Sequence, residues 1–78
     1  MKTINVTAED IAAGKRKNAG CCPVALALKR ETGKECFVAP TFVLSDKTYI
    51  DSPREVYFFI ITFDAGLPVE PFSFVLDI

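Results

Sequence analysis

Histidine and tryptophan are absent from the 78 residues, and cysteine occurs only three times. Without His the chain lacks the commonest general base of enzyme active sites. Three Cys and no His cannot fill the four-ligand site of a structural zinc. An odd number of cysteines also rules out a complete intramolecular disulfide framework, which favours a reducing compartment. No apolar run approaches the roughly 18–20 residues of a membrane-spanning helix. The opening MKTINVTAED has no apolar signal-peptide core. The expectation is a cytosolic protein with no membrane segment, no metal and no cofactor.

Glycine is sparse as well, and the segment 14-GKRKNAG-20 has neither the spacing nor the GKS/GKT ending of a phosphate-binding loop. The net charge of −1 argues against a whole-molecule nucleic-acid binder. The charge is unevenly spread: residues 1–40 carry seven Lys/Arg and four Asp/Glu, residues 41–78 two and six. Tandem repeats are absent.

What the chain has is apolar side chains. Half of its residues are hydrophobic and seven are Phe. Such a short chain makes a single domain over residues 1–78, with a net stability of only a few kcal/mol.

Ile4 and Val6 alternate with polar neighbours, as in a strand with one buried face. Thr7 and Asp10 are spaced as a capping box, which predicts a short helix over 8–13 that stops at Gly14. Residues 14–20 read as an exposed loop. Pro23 suits the first position of a second helix, which Gly33 ends. The segments 36–39 and 41–45 are β-branched and aromatic, and Pro40 marks an edge, a bulge or a break. A turn at 45–47 leads into 48–50, giving a hairpin.

The stretch 52-SPREVYFFIITFDAG-66 gives conflicting signals. Its middle is rich in strand formers. Its ends spell a helix, with Ser52 as N-cap, Pro53 at the first helical position, Glu55 completing a capping box and Gly66 as the stop. Its length also exceeds that of a usual strand, so the reading is helix. Residues 72–78 alternate as a half-buried strand, with Phe72, Phe74, Leu76 and Ile78 on one face. The order is β-α-α-β-β-α-β in an α+β fold, with helices on one face of a small antiparallel sheet: ferredoxin-like or a variant of it.

Cys22, just before Pro23, stands where a helix N-terminus stabilises a thiolate, and Lys15, Arg16 and Lys17 are close in sequence. A thiol-dependent redox protein using Cys22 is therefore one reading. Against it, Ala25 occupies the place of the second cysteine of thioredoxin-like motifs, and a small buried cap residue accounts for Cys22 better.

The helix over 53–65 gives the other clue. Val56, Phe59, Ile60 and Phe63 share one face, while Tyr57, Phe58 and Ile61 fall off it. An exposed apolar patch marks contact with something, either the loop 66–72 or another chain. A homodimer through this helix would bury the patch symmetrically. The expected binding set is Lys15, Arg16 and Lys17, the apolar Tyr57, Phe58 and Ile61, and the acidic Asp46, Asp51 and Glu55. The charges would steer the encounter and the aromatics would supply affinity.

The segments 6-VTAEDIAAGKRKNAGCCPVALALKR-30 and 63-FDAGLPVEPFSFVLDI-78 resemble a group of small bacteriophage-encoded proteins. That resemblance implies a helix over 53–65 and brings no catalytic site with it. Phage proteins of this kind, anti-CRISPR inhibitors among them, bind and occlude host protein complexes. The resemblance thus implies a non-enzymatic inhibitor whose partner is a host protein.

Overall fold

The computed structural model describes residues 2–77. Its elements are β1 (Lys2–Val6), α1 (Ala8–Ala13), α2 (Pro23–Thr32), β2 (Cys36–Val38), β3 (Phe42–Ser45), β4 (Thr48–Asp51), α3 (Arg54–Asp64) and β5 (Phe72–Leu76). The class is α+β and the elements follow the order read from the sequence, with three strands in place of two between α2 and α3. Pro40 makes the break that divides the 36–45 stretch into β2 and β3, and Ala39 N–H closes the turn on the Phe42 carbonyl at 2.9 Å. The expected face position of Ile78 lies outside the described residues.

The strands form two antiparallel sheets in place of one. β1 pairs with β5, and β2, β3 and β4 form a separate meander in that order. The division has a local cause at each edge. Val38 on β2 donates its N–H to the Ala19 carbonyl at 2.9 Å, so the 14–22 loop lies where another strand would pair. On β1, the Asn5 carbonyl accepts from the Arg30 guanidinium of α2 at 2.7 Å.

The first helix starts as its sequence indicates. Thr7 Oγ1 accepts from Asp10 N–H at 3.2 Å, and Asp10 Oδ2 accepts from Thr7 N–H at 2.9 Å, which satisfies two helix-end donors reciprocally. Asp10 is buried and its other oxygen accepts from Arg30 Nη1 at 2.6 Å, tying α1 to α2. Gly14 follows because a Cβ there would lie 2.5 Å from Cδ of Pro23. Cys22 caps α2, its sulfur accepting from Ala25 N–H at 3.4 Å, and Gly33 ends it at φ +70°.

The start of α3 departs from expectation. Pro53 occupies the N-cap position, and no side chain among the described residues caps the helix. Ser52 donates its hydroxyl instead to the Ala39 carbonyl at 3.2 Å, so the Ser52–Glu55 capping box does not form. That tertiary bond ties the segment entering α3 to the β2–β3 turn. Gly66 does end the helix, at φ +82° with its N–H on the Phe63 carbonyl.

One apolar core joins all of this. Ile4, Val24, Leu28, Val43, Val56 and Leu76 are fully enclosed or nearly so. Val56, Phe59, Ile60 and Phe63 turn inward from α3, as the helical spacing requires. Phe63, Phe59, Phe72 and Phe74 form a run of stacked rings, with centroid separations of 6.1, 4.7 and 5.6 Å. That run fastens α3 to β5.

Candidate functional site

With its inner face committed to the core, α3 presents Tyr57, Phe58 and Ile61 to solvent. Phe58 is 59% exposed, Ile61 43% and Tyr57 37%. The Tyr57 and Phe58 rings meet edge to face at 5.5 Å and 82°, a favourable aromatic geometry that orients both rings. The loop over 66–72 runs beside the patch without covering it. It forms one wall of a shallow groove of about 400 Å³ between Phe58 and Thr62 on one side and Val69, Glu70 and Pro71 on the other. Leu67 on the same loop is 58% exposed.

Charge flanks the patch along the helix axis. At the C-terminal end, Lys17 N–H donates to Asp64 Oδ1 at 2.9 Å, which anchors the 14–20 loop to α3. The Arg16 guanidinium lies over Gly66, 3.5 Å from where a Cβ would stand. Lys15, Arg16 and Lys17 are exposed, and none joins an ion pair among the described residues. At the other end, Glu55 sits in the first turn and Asp51 just ahead of the helix, both exposed. The acidic and basic groups are thus separated by roughly the 16 Å length of an 11-residue helix.

Asp46 does not join them. It stands in the β3–β4 turn, beyond the far end of β4, with its carboxylate 3.7 Å from Lys34 Nζ.

Cys22 is held for a different role. Burial pushes its thiol up, and the backbone N–H groups of Ala25 and Val24 do not offset that. The direction is opposite to the one a reactive thiolate needs. Cys22 lines a small cleft of about 190 Å³ with Val38, Ile60 and Asp64, and Cys21, Cys22 and Cys36 are all free thiols. Among the described residues no three His, Cys, Asp or Glu side chains come together as a metal site.

Sequence reasoning passed over a second exposed aromatic group. On the outer face of the three-stranded sheet, Phe37 lies opposite Leu44 and Leu44 opposite Tyr49. Phe37 is 47% and Tyr49 63% exposed, and Tyr49 stacks on Phe42 at 5.3 Å. The alternation within 36–38, 42–45 and 48–51 carried that signal, because buried Cys36, Val38, Val43 and Ser45 leave these rings on the opposite side.

The chain matches no protein-family description, no curated protein and no solved structure.

Proposed function

We propose that this chain is a non-enzymatic interaction domain that binds another protein through the outward face of α3 and occludes the surface it covers. The observation that carries this reading is Phe58, a large ring left mostly in solvent beside Tyr57 and Ile61 on a helix whose other face is fully used. Exposed aromatic clusters rimmed by charge are the usual anchors of protein interfaces. Lys15, Arg16 and Lys17 would meet an acidic patch on the partner, and Asp51 and Glu55 a basic one. The narrower form of the reading, a phage inhibitor acting on a host protein complex, rests on the resemblance of residues 6–30 and 63–78.

The thiol reading loses support from the burial of Cys22 and the upward push on its thiol. Alkylation of native Cys22 is expected to be slow at neutral pH and to become fast only on unfolding.

The test is affinity capture from a host extract with wild-type and Phe58→Asp bait, each verified as folded by circular dichroism. The wild type should retain a partner that the variant loses. Equal retention of every captured protein removes the α3 face from the account.

A further inference from the structure

A second surface, on β4, shares only Asp51 with the α3 reading. β4 is the terminal strand of its sheet, and among the described residues one of its edges is unpaired. Just past its end, Ser52 donates its N–H to the Thr41 carbonyl at 3.1 Å, continuing the β3–β4 ladder. In an antiparallel ladder bonded pairs alternate, so Thr48 and Ile50 also turn their main-chain groups toward β3. Tyr49 and Asp51 turn theirs to the free edge. Thr48, Tyr49 and Asp51 are exposed. No proline or glycine interrupts the strand, although natural edges are usually blunted against pairing.

The segment 47-KTYID-51 is complementary to itself. β4 itself spans Thr48–Asp51 and Lys47 stands in the turn before it. Run antiparallel against a second copy with Tyr49 at the centre, the turn carrying Lys47 of each copy lies beside the strand end carrying Asp51 of the other. Neither Lys47 nor Asp51 has an ion-pair partner within its own chain among the described residues. The Tyr49 rings meet at the axis, each already stacked on its own Phe42.

We propose that β4 pairs antiparallel with β4 of a second copy about a two-fold axis at Tyr49, joining two three-stranded sheets into one continuous sheet. The pairing satisfies the free Tyr49 N–H and C=O reciprocally, sets two Lys–Asp pairs across the seam and makes the outer aromatic face continuous. An isologous interface of this kind closes at a dimer. The interface is short, so association is concentration-dependent. It takes Asp51 from the charged rim of α3 and leaves Tyr57, Phe58 and Ile61 free for a different partner.

Sedimentation velocity of the full chain over a concentration series tests the pairing. The expected result is a dimer at the higher concentrations. Lys47→Glu and Asp51→Lys each weaken it roughly tenfold, because each sets like charges opposite one another twice. The double variant Lys47→Glu/Asp51→Lys restores it. Should a turn substitution disturb folding, Tyr49→Cys provides a second measurement: two-fold pairing brings the Cα atoms to about 5.5 Å, within disulfide reach. An added oxidant should then cross-link that variant and not the wild type. A chain that stays monomeric throughout, a dimer indifferent to both charge reversals, or a Tyr49→Cys variant that does not cross-link overturns the proposal. So does a dimer that Phe58→Asp abolishes, which would put the axis on α3.

Discussion

The two faces of α3 are built from the same kinds of side chain and meet opposite surroundings. Phe59, at 7% exposure, is stacked between Phe63 and Phe72, whereas Phe58, its neighbour in sequence, is 59% exposed and touches Tyr57. A hydrophobic tally of 52–66 would assign all of them to the core. The helix allows one stripe to pack and leaves the remainder outside. Apolar content therefore measures core only after the period is known, and on α3 the surplus stays in solvent.

Substitutions on the two faces should separate widely. Phe59→Ala removes a ring from the middle of the aromatic run and is expected to cost about 3–5 kcal/mol in denaturant unfolding. That is most of the stability of so small a domain. A small loss there would mean that α3 is only loosely held against β5.

Asp10→Ala comes next, at about 2 kcal/mol, because it removes a helix cap and leaves the Arg30 guanidinium without its carboxylate. Burial works against the Asp10 charge, but the bonds from Arg30 and Thr7 outweigh it and hold the carboxyl below its ordinary value of 3.8. A carboxylate with a lowered pKa contributes stability above the unfolded value and loses it as pH falls through the folded one. The gap between wild type and Asp10→Asn should accordingly be full near neutrality and shrink below about pH 4. A gap independent of pH would show that the charge of Asp10 does nothing for the fold.

A smaller effect of opposite sign is expected at the β3–β4 turn. Asp46 and Lys47 both have positive φ, 48° and 68°, in a two-residue hairpin loop that favours glycine at its second position. Lys47→Gly should raise stability by about 0.5–1 kcal/mol in thermal unfolding. A gain there, next to a loss at Phe59, would show that the β4 hairpin tolerates strain that the α3 core does not.

Much of this arrangement was legible in the sequence where the signals are local. The Thr7–Asp10 box, the Cys22–Pro23 start and Gly33 end of α2, and both faces of α3 rest on residues within a few positions of one another. The sheets were not legible, because the choice lies with distant groups. Val38 bonds Ala19, and Arg30 reaches Asn5 from 25 residues away. The neighbours of Ser52 mark it as a cap, yet its hydroxyl serves Ala39, 13 residues away. For the candidate site, the sequence indicated the apolar patch and the cations, while the Lys17–Asp64 bond that brings them together spans 47 residues. The acidic set read from the sequence joins Asp46 to Asp51, whereas β4 places them at opposite ends, about 15 Å apart.

The outward turn of α3 is tested most directly by the unfolding free energy of Phe58→Asp. A carboxylate at a solvent-facing position should leave stability within about 0.5 kcal/mol of the wild type. A loss of several kcal/mol would mean that the Phe58 ring is core, and that α3 offers no face to another protein.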